Sequence, residues 1–108
     1  MKYLFLICDD PDVTDAPEDV PVGAWVQEMT ARQVRLTGDR LRPISDATTV
    51  RRRDDELLVS DGPFAETREQ IGGFDLIECK DLDEAIEIAS KHPVTRFGSI
   101  EIRPIWPM

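Results

Sequence analysis

Residues 59–74 limit the fold more than any other stretch of the chain. An apolar strand pattern ends in Ser60-Asp61-Gly62-Pro63, passes through the charged run Phe64-Ala65-Glu66-Thr67-Arg68-Glu69-Gln70, and re-enters an apolar run at Ile71-Gly72-Gly73-Phe74. Gly tolerates positive φ, and Pro fixes φ at about −65° while removing a donor, so Asp-Gly-Pro predicts a turn with Asp61 at a strand end. Glu66 and Glu69, spaced i, i+3, predict a short helical turn over 64–70 that projects both carboxylates the same way. Gly72 and Gly73 permit a tight return into a strand over 74–79.

Residues 2–8 are almost continuously apolar and rich in β formers, the pattern of a central strand, which Asp9-Asp10-Pro11-Asp12 ends. The acidic, proline-bearing stretch 12–19 predicts a solvated loop. A helix follows: Pro21 suits its first turn, and Val22, Trp25, Val26 and Met29 recur at i, i+3, i+4, i+7 on one buried face. Residues 34–41 alternate loosely around Gly38-Asp39, a short strand with a bulge or turn before Pro43. The runs 48–53 and 56–60 flank Asp54-Asp55, a hairpin link in which Asp55 has to accept a left-handed backbone. Asp81 and Glu84 form a capping box for a second helix, whose stripe is Leu82, Ala85, Ile86 and Ala89. Pro93 ends it near Lys91 and His92, which are placed to complement the helix dipole. The last strand, 98–105, sets Ile100 and Ile102 against Glu101 and Arg103.

The order strand, helix, strands, helix, strand predicts an α+β domain with helices on one face of an antiparallel sheet, a ferredoxin-like βαββαβ core with an extra β-hairpin at 48–60. The first strand and residues 74–79 become antiparallel neighbours, which sends Cys8 and Cys79 toward opposite ends and excludes a disulfide between them. Both read as buried thiols. Two distant Cys and a single His do not make a zinc site. The first strand is apolar at both parities, Leu4 and Leu6 as well as Phe5 and Ile7, so both faces of the sheet need cover. Either a second subunit or a loop such as 9–20 supplies it.

With 108 residues the chain suffices for one domain, 1–108. Its formal net charge of −9 works against a nucleic-acid partner. Arg51-Arg52-Arg53 is answered at once by Asp54, Asp55 and Glu56, as on a solvated strand end. No stretch has the length of a membrane span, and residues 3–8 are too short for a signal peptide, so a cytoplasmic location is expected.

The words Asp61-Gly62-Pro63-Phe64-Ala65-Glu66, with Gly72-Gly73-Phe74 behind them, resemble the signature of the DGPF group within the YCII-related family of small bacterial proteins. Met1-Lys2-Tyr3-Leu4-Phe5-Leu6-Ile7 looks like that family's opening strand and Ser99-Ile100-Glu101-Ile102-Arg103-Pro104-Ile105 like its closing one, so nearly the whole chain is covered. Gln33 departs from the pattern, standing where such proteins often carry Gly at the end of the first helix, and this concerns the cap geometry there. The resemblance implies a homodimer in which two subunits pack sheet against sheet as a dimeric α/β barrel. It also implies an occasional link to alternative sigma factors, which on this acidic chain would act through protein contact. Enzymes of the wider family look to use a His and Asp pair in the cleft, and no His accompanies the segment that precedes Asp61.

Two readings of Asp61 stand side by side. A carboxylate at a strand end beside Gly and Pro can project into a cleft as a base, or can accept hydrogen bonds from the following amides and build the turn. His92 is the only imidazole, a second catalytic candidate whose position also suits a helix cap. The ligand-binding candidates are Asp61, Gly62, Pro63, Phe64, Glu66, Glu69, Gly72 and Gly73. Nothing resembles a dedicated metal loop, a phosphate loop, a dinucleotide fingerprint or a nucleophile elbow, so no metal or cofactor is expected. Arg53 and Arg103 suit an anion or, as strand arginines usually do, a neighbouring Glu. Two functions follow: a small-molecule binder or weak enzyme with its cleft beside residues 61–73, or a non-catalytic dimeric module serving a protein partner.

Overall fold

The structure, a computed structural model, describes residues 1–17, 19–62 and 70–107. Pro63, Phe64, Glu66 and Glu69, and with them the expected helical turn, lie outside the described residues. The elements run β1 (Lys2–Asp9), α1 (Gly23–Ala31), β2 (Arg35–Arg40), β3 (Thr48–Arg53), β4 (Glu56–Asp61), β5 (Gln70–Glu78), α2 (Leu82–Ser90) and β6 (Gly98–Pro104). Short 3-10 turns occupy Ile44–Asp46 and Pro93–Arg96.

Four strands form one antiparallel sheet in the order β2-β5-β1-β6, and among the described residues β3 pairs only with β4. This is the ferredoxin-like arrangement with a hairpin added, and among the described residues the sheet does not close on itself. Cys8 pairs with Ile71 at one end of β1, while Lys2 meets Glu78 beside Cys79 at the other, which keeps the two buried cysteines apart. The sequence expectation of a strand starting at Phe74 falls short. β5 begins at Gln70, and the Gly-Gly pair lies inside it, where the β1 partner jumps from Gly73 to Ile71. A bulge absorbs the extra residue without breaking the strand.

Period-2 alternation decides which side chains meet the helices. Tyr3, Phe5 and Ile77 point to one face and pack with Trp25 and Met29 of α1 and Ala85, Ile88 and Ala89 of α2. The Trp25 indole donates to the Ile88 carbonyl at 3.0 Å, tying the two helices together. Fully burying each large side chain of this set contributes about 1.5–3 kcal/mol.

The helix ends hold as their residues dictate. Gln33 adopts φ 62°, and behind it Val34 N donates to Met29 O at 3.1 Å while Gln33 N donates to Thr30 O at 3.0 Å. These are the two bonds of a Schellman cap, built here without glycine. Asp81 accepts from Glu84 N at 2.9 Å, but the Glu84 carboxylate accepts from Lys80 N, one residue earlier than a capping box requires. In the hairpin, Asp54 and Asp55 both take positive φ, 51° and 64°, the signature of a type I′ turn.

Candidate functional site

A cavity of about 730 Å³ opens between the helix face of the sheet, the loop from Asp10 to Val22, the first turns of α1 and the Pro93–Arg96 turn. Its floor contains Asp75, on the core-facing parity of β5 directly across from Phe5 and only 5% exposed. Arg35 of β2 donates from Nε to Asp75 Oδ1 at 2.8 Å. The pair lies over Gly38, where an added Cβ would collide with Asp75 Oδ1 and Arg35 Nη2, so glycine makes room for an ion pair inside the sheet edge. Burial pushes the Asp75 carboxyl above its ordinary value, and the Arg35 hydrogen bond and charge pull it part of the way back.

His92 lines the same cavity and is 4% exposed. Its Nδ1 accepts from Val94 N at 3.0 Å and caps the Pro93–Arg96 turn, while its ring packs against Trp25 with centroids 4.6 Å apart. A ring whose Nδ1 accepts carries its proton on Nε2. Burial lowers its pKa to about 4, so it is neutral near pH 7. The expectation that His92 lends positive charge to the end of α2 therefore fails: the residue caps the next turn as a neutral acceptor. Nε2 has no hydrogen-bond partner among the described residues, and no side-chain nitrogen or oxygen among them is both sealed and unpaired. The Nε2–H is therefore not sealed inside the protein, on a ring that lines the cavity.

The remaining lining sets the charge. Asp9, Asp10, Asp19 and Asp39 join Asp75 against Arg35 and Arg40, and both arginines are engaged, Arg35 by Asp75 and Arg40 by Asp19. Val20, Val26 and Phe97 make apolar wall. Among the described residues, no group of three His, Cys, Asp or Glu side chains is placed to hold a metal ion. The arrangement can donate one hydrogen bond from a neutral imidazole and hold or take a proton at a buried carboxylate, in a setting that disfavours anions.

The family model of the YCII-related domain matches residues 1–108 of the chain. The chain belongs to the YCII-related family. An uncharacterized protein of Rhizobium meliloti (strain 1021) is similar to it, 49% identical over 116 aligned residues that cover 97% of this chain and 92% of that one.

In this YCII-related chain the residues singled out in the sequence divide by position. Gly72 and Gly73 line the cavity together with His92. Asp61 and Gly62 sit at the far end of the hairpin and are not part of the lining. Asp61 is exposed opposite Thr48, and Gly62, at φ 99°, donates to Ala47 O at 2.8 Å and accepts from Thr49 Oγ1 at 2.7 Å. Those bonds carry the β3–β4 pairing one residue beyond Asp61. Arg103 pairs with Glu101 at 3.2 Å, as its strand position suggests. Sequence reasoning missed Asp75 and Arg35. The one available signal was a carboxylate at the parity of Ile77 and Cys79, obscured because the alternate parity, Phe74 and Leu76, is equally apolar.

Proposed function

We propose that this YCII-related protein binds a small molecule in the cavity at the Gly72–Gly73 end of the 61–73 segment, with acid–base chemistry available from Asp75 and His92. One observation carries the reading: two polar side chains at least nine-tenths buried line one cavity, and the His92 Nε2–H has no protein acceptor there. A donor that no protein group occupies is available to a ligand acceptor, which replaces water there. The donor suits a carbonyl or hydroxyl oxygen, and the excess of aspartates around it selects a neutral or cationic molecule over an anionic one. Arg35 orients Asp75 as the proton acceptor or donor toward such a ligand.

The test is a thermal-shift screen against neutral and amine-bearing metabolites, run in parallel on the parent protein and on Asp75→Asn, His92→Gln and Asp61→Asn. A ligand that binds only the native state raises the apparent Tm by mass action. Hits that disappear in Asp75→Asn and His92→Gln but persist in Asp61→Asn support the cavity. Hits lost only in Asp61→Asn overturn it in favour of the hairpin end.

A further inference from the structure

The Arg35–Asp75 ion pair on the cavity floor is only partly used by the protein. One hydrogen bond holds it, from Arg35 Nε to Asp75 Oδ1 at 2.8 Å. The second carboxylate oxygen, Oδ2, and the Nη groups of the guanidinium have no hydrogen-bond partner among the described residues, and none of them is sealed inside the protein. Asp75 is only 5% exposed, so a deeply buried carboxylate keeps an unused acceptor on the lining of a cavity. A guanidinium donor and a carboxylate acceptor therefore flank one hydrogen bond, side by side.

The sheet puts no side chain next to the carboxylate on one side. Gly73 precedes Asp75 by two residues on β5 and shares its face, opposite Ile7 of β1. The floor there is bare backbone, and Ile7, Trp25 and Val26 add apolar wall. A cavity of about 730 Å³ with apolar walls and a small number of placed polar groups has the anatomy of a small-molecule site.

We infer that this ion pair recognises a neutral carboxamide, lactam or ureide group, whose carbonyl oxygen accepts from an Arg35 Nη–H while its own N–H donates to Asp75 Oδ2. The inference rests on the small-molecule reading of the cavity and narrows it. Charge decides against the alternatives. The pair is neutral as a unit, so an ammonium at Oδ2 also meets the guanidinium. A carboxylate at the guanidinium also meets Asp75 and the Asp9, Asp10 and Asp39 of the lining. A neutral group with an acceptor and a donor on neighbouring atoms satisfies both partners without adding charge. An ester of the same shape leaves Oδ2 without a donor.

The inference is tested by titrating the full chain with benzamide, methyl benzoate, benzylammonium and benzoate, probes of similar size, and following the Gly38 and Gly73 amides by ¹H–¹⁵N NMR. The expected result is that benzamide shifts both amides and binds about 10-fold more tightly than the other three, the worth of one hydrogen bond. In the double variant Arg35→Met/Asp75→Leu, apolar side chains replace both partners, a change that folded proteins tolerate and that circular dichroism checks. Benzamide should there fall level with methyl benzoate. Methyl benzoate or benzylammonium that shifts Gly73 and binds the parent as tightly as benzamide overturns the inference and leaves the cavity reading standing. A benzamide lead that survives the double variant overturns it too. Shifts at neither glycine with any probe at roughly 10 mM, the range in which fragments this small bind, also overturn it, and the thermal-shift screen then judges the cavity reading separately.

Discussion

Gln33 and Gly62 occupy the same left-handed region with different residues, and each makes a prediction. Gln33 strains a Schellman cap that glycine fills freely, so Gln33→Gly should stabilise the protein by about 0.5–1 kcal/mol, read from urea denaturation midpoints. At Gly62 an added Cβ meets nothing within 4 Å, so any cost of Gly62→Ala is backbone strain alone, on the order of 1 kcal/mol. His92 sets a pH dependence. Its folded pKa of about 4 lies below the usual 6.5, so the unfolded chain takes up the proton first as pH falls. Stability is fully present above pH 6.5 and declines toward pH 4, by about 3 kcal/mol over that window. Asp75 works in the opposite sense, since its raised pKa makes the native state lose stability as pH climbs above 3.8. Comparing the parent with His92→Gln across pH 4–7 isolates the histidine contribution, and the variant should show the flatter acid limb. The Gln33 cap and the positive φ at Asp55 were legible because each depends on a local rule. The neutral state of His92 was not, since Lys91-His92-Pro93 reads as a helix end and only the packing of Trp25 over the ring reveals its burial.

At the scale of elements, β2 and β5 cooperate to hold the ion pair, and Gly38 is the residue that lets them. Gly38→Ala should separate Arg35 from Asp75 and leave a buried charge short of its partner, a loss of about 3 kcal/mol in thermal or chemical denaturation. The hairpin behaves differently. Asp54-Asp55 forces two non-glycine residues into the left-handed region, so Asp55→Gly relieves strain at the turn. Because β3–β4 stands outside the main sheet, hydrogen exchange should slow in the arm while the global melting transition hardly moves. Element boundaries followed closely from sequence where apolar periodicity met a capping residue, as in α2, and missed where a bulge continued the strand through Gly72-Gly73. Two adjacent glycines read locally as punctuation, and only pairing with β1 shows that β5 runs past them.

For the molecule as a whole, order and pairing of strands were legible in the alternation of apolar and polar residues, and the site was not. The sequence drew attention to Asp61 through a conspicuous turn, whereas the cavity assembles Arg35, Asp75 and His92 from three segments far apart in the chain. No spacing rule joins them, because the contacts that bring them together are tertiary. Both apolar parities of β1 predicted apolar side chains on both faces of the sheet, and Leu4, Leu6, Phe74 and Leu76, half-buried on the face opposite the helices, are their structural counterpart.

The measurement that tests the site most directly is ¹⁵N NMR of the single imidazole across pH 4–8, with and without a hit from the ligand screen. The account predicts a neutral ring protonated at Nε2 down to about pH 4, with the Nε2 resonance displaced by the ligand. A ring that titrates near the ordinary 6.5 and ignores the ligand would contradict the account of a buried donor on the cavity lining.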